Sequence, residues 1–240
     1  MKLLAIDASN QVMSVAVLED QKIIGEVTTN VKGNHSQRLM PAIHTLMKEV
    51  NWEPSALDRI VVAKGPGSYT GLRIGVTIAK TLAWTLDKEI VGVSSLAVLA
   101  GNCEESPNYL VPLFDARRGN IYTGLYQWQK GELVQIEADT HISAEKWAVF
   151  LSGLPGTFEL IGEDRLLHQE IFEQHLSGRI TEAPLKDHLP KAGVLGLLGI
   201  TKVPEDAHTL VPDYLKLAEA EENWRKEHPD QLEETYVEKI

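Results

Sequence analysis

The chain has 240 residues, 43% hydrophobic and 24% charged, which is enough for one compact unit or two subdomains with buried cores. A formal net charge of −11 opposes polyphosphates, so the chain alone is a poor candidate for gripping nucleic acid. A single cysteine, Cys103, excludes an intramolecular disulfide and a Cys-rich metal site, and fits a reducing compartment.

The first residues enter a strand-like run with no signal-peptide pattern, and no apolar run approaches the ~20 residues that span a bilayer. The expectation is a cytoplasmic protein without a membrane partner. Residues 2–8 (KLLAIDA) predict a buried strand ending on Asp7. Residues 12–18 and 22–28 predict two more strands, linked as a hairpin at Asp20-Gln21. Across 35–50, Leu39, Met40, Ile43, Leu46, Met47 and Val50 recur at helical spacing, and Pro41 either starts this helix or kinks it.

The densest signal comes next. Residues 59–63 form an apolar strand, followed at once by Gly65, Pro66, Gly67, Ser68, Tyr69, Thr70 and Gly71. A helical pattern then runs over 70–86 through Leu72, Ile74, Val76, Ile78, Ala79, Leu82 and Ala83, with Ser68 or Thr70 as its cap. Such a junction aims backbone N–H groups at one point and suits either an anion or a close backbone contact. It is not a P-loop, because no Lys-Ser or Lys-Thr follows the last glycine, and Pro66 with the Gly65, Gly67, Gly71 and Gly75 spacing does not fit a dinucleotide fingerprint. A strand over 89–93 and a helix over 94–103, capped by Ser94 or Ser95, complete a mixed sheet with helices on its faces.

Asn102 and Ser106-Pro107-Asn108 mark a boundary, giving subdomains 1–103 and 104–212 and a charged tail, 213–240, whose Tyr214, Leu215 and Leu217 are free to dock. The second half restarts with a strand over 109–114, leading to Asp115, and a hairpin of 120–129 and 132–139 about Lys130-Gly131. A helix over 143–151, a strand over 159–162 and helices over 164–176 and 191–200 follow. Both halves open on a strand that ends in an aspartate and is followed by a hairpin, which points to an internal duplication.

Several residues carry candidate chemistry. Asp7 and Asp115 are strand-end carboxylates of the kind that orient a phosphate or a metal-bound water, against the plain reading of turn formers. The loop after Asp7 holds no glycine, which makes close phosphate approach harder. His35 and His44 are nine residues apart, too far for the i, i+4 metal pair of one helix face, so His35 reads as a capping or surface residue. Arg73 suits a phosphate or a carboxylate, with an acidic neighbour as its default partner. Gly71, Gly75 and Ala79 form a small ridge and the 35–50 helix a Met-rich stripe, which fit an interface between chains or an ordinary internal contact.

LLAIDAS, HSQRLMPAI, KGPGSYTGLRIGVTIAK, DARRGNIY and YLKLAEAE resemble the TsaB (YeaZ) family across most of the chain, the Gly-rich block most specifically. The resemblance implies an actin-like α/β fold (sugar-kinase-like, ribonuclease H-like) of two similar subdomains, each a mixed sheet flanked by helices. It implies a non-catalytic partner of TsaD, working with TsaE to transfer threonylcarbamoyl from threonylcarbamoyl-AMP to N6 of adenosine 37 of tRNA. TsaD places a metal with an H-x-x-x-H pair, whereas here position 39 is Leu39. No catalytic residue, metal or cofactor is then expected, tRNA is reached only through the complex, and Asp7 and Asp115 mark a vestigial nucleotide site. The partner surface would be His35, Leu39, Met40, Ile43, Met47, Gly71, Leu72, Gly75, Ala79 and Leu82, shared with a homodimer when TsaD is absent. Gly65 to Thr70 and Arg73 would shape the adjoining loop. The alternatives are an ATPase or small-molecule kinase using Asp7 and Asp115, and a peptidase, for which no nucleophile stands out.

Overall fold

A computed structural model describes residues 1–104 and 106–216. The first five strands, β1 (Lys2–Asp7), β2 (Met13–Glu19), β3 (Lys22–Thr29), β4 (Arg59–Gly65) and β5 (Glu89–Ser94), form one sheet in the order β3-β2-β1-β4-β5. The next five, β6 (Tyr109–Asp115), β7 (Asn120–Gln129), β8 (Glu132–Ser143), β9 (Phe158–Ile161) and β10 (Ile180–Glu182), form a second in the order β10-β9-β6-β7-β8. In each sheet the leading strand pairs antiparallel with its hairpin partner and parallel with the strand after the first crossover. The two halves thus share one topology, with Asp7 and Asp115 at equivalent ends.

Helices α1 (His35–Glu49) and α2 (Tyr69–Leu86) belong to the first half, and α4 (Ala144–Ser152) and α5 (Gln169–Leu176) take the same places in the second. The first sheet is apolar on both faces. Leu4, Ile6, Val15, Val17, Ile60 and Val62 meet α1 and α2, while Leu3, Ala5, Ala16, Leu18 and Val61 face the other way. That two-sided burial is why β1 reads as a continuous apolar run rather than an alternating one.

Each half ends in a helix that serves the other. In α3 (Ser95–Gly101), Leu96, Leu99 and Ala100 pack with Leu110, Phe114 and Tyr126 of the second half. In α6 (Ala192–Gly199), Ala192 and Leu195 cover Leu3, Ala5, Ala16 and Leu18 of the first. The chain then stays on the first lobe: the Glu205 N–H donates to Ile90 O at 2.8 Å, Leu210 enters the first core, and the Asp213 N–H donates to Lys64 O at 2.7 Å. The segment 104–212 is therefore not one structural unit, because α6 and the strap after it complete the first sheet. No local pattern marks that return.

The local expectations hold with three adjustments. Helix α1 starts at His35, capped by the Asn34 side chain, and runs through Pro41 on its exposed side. The 164–176 helix is broken: a 3₁₀ turn spans Glu163–Leu167 and α5 starts after His168, whose ring is committed inward to Asp115. Strand β10 is too short for a periodic signal.

Candidate functional site

At the Gly-rich junction, β4 ends on Gly65, the Gly65–Pro66 bond is cis, and Ser68 caps α2 by accepting from the Gly71 N–H at 3.3 Å. The glycines answer to the loop after β1. A Cβ on Gly67 would run into the Ser9 carbonyl oxygen, and one on Gly71 into the Ala8 carbonyl oxygen. The Ser68 N–H is spent on that same Ser9 oxygen at 2.6 Å. Of the two uses open to such a loop, the structure adopts backbone-on-backbone approach, which only glycine permits at these positions.

Beneath this lid lies Asp7, fully buried. Its Oδ1 accepts from the Ser9 N–H at 2.8 Å, and its Oδ2 has no hydrogen-bond partner among the described residues. The Ser9 Oγ and the His35 Nδ1 are likewise buried without a partner. Burial pushes the Asp7 carboxyl above the usual range, offset in part by Ser9 and the His35 ring. The other ring nitrogen, His35 Nε2, lies 2.7 Å from Asn10 O; a carbonyl only accepts, so Nε2 carries the proton. His35 is thus neither a cap nor a surface residue.

Asp115 has the opposite setting. It lines a cleft of about 510 Å³ between the lobes, together with Tyr69 and Thr70 of α2 and Tyr122 and Asp164 of the second lobe. Its Oδ1 is 3.0 Å from His168 Nε2, and its N–H donates to Asp164 Oδ2 at 2.9 Å. Burial raises the Asp164 carboxyl, and the neighbouring Asp115 charge adds to this. The structure does not bring Asp7 and Asp115 to one surface: Asp7 is sealed and only Asp115 meets the cleft. Among the described residues no group of three or more His, Cys, Asp or Glu side chains is placed to hold a metal ion.

Among the described residues Arg73 has no acidic group as its bonded partner. Its Nη1 donates to Tyr69 Oη at 3.2 Å, and its guanidinium lies 5.5 Å from that ring's centroid. Tyr214 docks against Tyr69, with 4.8 Å between ring centroids. Leu217 and the rest of the tail lie outside the described residues.

The helix pair corrects the expected partner surface. His35, Leu39, Ile43, Met47, Gly71, Leu72, Gly75 and Ala79 are all buried in the chain's own interior. Both helices rest on one face of the first sheet. The small ridge of α2 is consumed by the β1–β2 loop, and the Met-rich stripe by the sheet. Of the expected residues only Met40, 42% exposed, and the half-buried Leu82 reach the surface. They border a depression of about 520 Å³ between α1 and α2, lined also by His44, Trp52 and Leu86. Ile74 and Ile78 lie half-buried on the same helix and Trp84 is 69% exposed. The row Ile74, Ile78, Leu82 and Leu86 runs along α2, and the expected surface named only Leu82 of it. The row's four-residue spacing was visible in the sequence as a second apolar line beside the buried one.

Comparison with known proteins gives these features a context. The family profile "TsaD: tRNA N6-adenosine threonylcarbamoyltransferase" matches residues 16–224. The tRNA threonylcarbamoyladenosine biosynthesis protein TsaB of Bacillus subtilis is 46% identical over 224 residues, covering 93% of this chain and 98% of that protein. YeaZ from Pseudomonas aeruginosa superposes with a TM-score of 0.75 at 28% identity, over 89% of this chain and 99% of that one. The ethanolamine utilization protein EutJ from Carboxydothermus hydrogenoformans, at 12% identity and a TM-score of 0.51 over 83% of this chain and 90% of that one, shares the fold alone. The duplicated sheets, the crossing helices and the interlobe cleft are the actin-like arrangement of two subdomains. With near full-length identity to one TsaB and a matching profile over most of its length, this chain belongs to the TsaB (YeaZ) family.

Proposed function

We propose that this chain acts in the formation of threonylcarbamoyladenosine on tRNA, as the non-catalytic partner of a TsaD-type transferase working with TsaE. The likeness to the Bacillus subtilis TsaB over nearly the whole of both chains carries this reading. Two features of the molecule support the division of labour. Asp7, which an ATPase or kinase of this fold would present to its nucleotide, is sealed under the Gly-rich loop, and the Ser68 N–H above it is already bonded. On the same lobe the α1–α2 seam presents Met40 and the half-buried Leu82 at a largely apolar depression, the kind of surface that a partner's helices cover.

In this proposal the transferase docks on that seam, and a second copy of this chain competes for it when the transferase is absent. The net charge of −11 leaves tRNA contact to the partners. Its place of action is the cytoplasm; no helix among the described residues is long and apolar enough to cross a membrane.

Reconstitution tests the proposal. TsaD, TsaE, tRNA, ATP and threonylcarbamoyl-AMP are combined with and without the chain, and modified tRNA is scored. Modification that requires the chain, with no ATP turnover by the chain alone, is the expected result. Full modification without it, or robust turnover by the chain alone that Asp115→Ala abolishes, would replace the partner reading with the enzyme one.

A further inference from the structure

The pairing of β7 with β8 is regular at both ends and slips between Thr123 and Leu125 and again between Leu125 and Tyr126. Gly124 sits in the slip. A Cβ there would stand 2.6 Å from Asp139 Oδ1 and 3.0 Å from the Tyr126 ring. A bulge of this kind bends the strand and re-aims its side chains. Here it makes room for a carboxylate from β8 to lie against β7, where a regular ladder would leave none.

That carboxylate is held from both lobes. Within the second lobe, Asp139 Oδ1 accepts from the Tyr126 hydroxyl and, at 3.0 Å, from the Gln135 amide. Across the lobes, Asp139 Oδ2 accepts from the Ser94 hydroxyl. Ser94 is the last residue of β5, and its Oγ also accepts from the Leu96 and Ala97 N–H groups at 3.1 Å each, capping α3. One hydroxyl therefore ties the end of the first sheet, the start of the helix between the lobes and the hairpin of the second lobe. Burial raises both Asp139 and the Tyr126 phenol, so the phenol remains a donor to the carboxylate at any ordinary pH. Asp213, which lines the cleft, adds its charge to the field at Asp139. None of these residues lies on the α1–α2 seam where the partner would dock.

We infer that Asp139, with Ser94 and Tyr126, is an interlobe clasp that fixes the opening of the cleft in which Asp115 and the start of α2 face each other. The cleft walls come from both lobes, so its width depends on the bonds that cross between them. A second crossing, Asn30 Nδ2 to Glu163 Oε2 at 2.7 Å, is exposed to water, which competes for both groups. Both crossings end on a carboxyl group, but the clasp is part-buried and its carboxyl takes hydrogen bonds from three side chains, Tyr126, Gln135 and Ser94, which makes it the stronger constraint.

Spin-label distances across the cleft test this in the full chain. Cysteines are introduced at Gln37 in α1 and Glu170 in α5, both exposed. The native Cys103 is buried, with its thiol pushed up to about 12, and stays unlabelled. The parent should show one narrow distance. Tyr126→Phe, which removes a single hydroxyl, should broaden it, and Asp139→Ala should add a population at a shifted distance. If Asp139→Ala does not fold, Asp139→Asn is read in its place. A distribution unmoved in both the Tyr126 and Asp139 variants overturns the clasp, whatever happens to the melting temperature.

Discussion

The two lobes repeat one topology and treat the same position in opposite ways. Asp7 and Asp115 close equivalent strands, yet Asp7 is fully buried and Asp115 lines the cleft beside His168. The loops after them differ in the same sense. Ala8 and Ser9 lie under the Gly-rich loop, whereas Arg117, Arg118 and Gly119 stand exposed. Equivalence of topology therefore carries over the backbone path and not the environment. What covers a loop decides whether its carboxylate can meet a ligand, and here the cover is the packing of α2 on the first lobe.

The largest test of that contrast is steric. Gly71→Val drives side-chain atoms into the Ala8 carbonyl and should cost at least about 3 kcal/mol in urea unfolding, because backbone rather than a flexible side chain must yield. A smaller loss would mean that the lid over Asp7 is loose and that the two loops are less different than described.

Next in size is partner binding, which should belong to the first lobe alone. Met40→Glu or Leu82→Glu should weaken TsaD binding about tenfold or more, roughly 1.4 kcal/mol. Phe150→Glu, exposed on the equivalent helix α4, should leave the affinity unchanged. Equal losses from both faces would remove the asymmetry. Gly75 and Ala79 are not useful probes of binding, since crowding them disturbs the chain's own interior.

A smaller effect comes from charge. The folded Asp7 carboxyl titrates above its ordinary value of 3.8, so between that value and the higher folded one the native state holds more protons than the unfolded state. Stability must then fall as pH rises through that window and stay reduced above it. Asp7→Asn removes the buried charge and should flatten this decline, with a net gain at neutral pH on the order of 1 kcal/mol. An unchanged pH profile would show that Asp7 is solvated after all.

The smallest expected change lies in the open loop. Gly119 has φ +72, and a Cβ added there would meet nothing within 4 Å, so Gly119→Ala should cost only about 1 kcal/mol from backbone preference. A cost near that of Gly71→Val would mean that the second loop is as constrained as the first.

Much of this architecture was legible in the residues. Apolar runs and their period located nearly every strand and helix, the Gly-rich stretch marked a strand-to-helix junction, and the two strand-end aspartates exposed the duplication. These are local signals, set by backbone preference and by burial patterns within a few residues. What the tertiary structure alone decided involves partners far apart in the chain. Which side of α2 is interior depends on Gly71 meeting Ala8. The return of α6 and the strap to the first lobe depends on Asp213 meeting Lys64. The sealing of Asp7 depends on Ser68 meeting Ser9. A ridge of small residues looks the same in sequence whether a partner chain or the chain's own loop lies against it, because what distinguishes the two is the position of a backbone about sixty residues away, which no local pattern encodes.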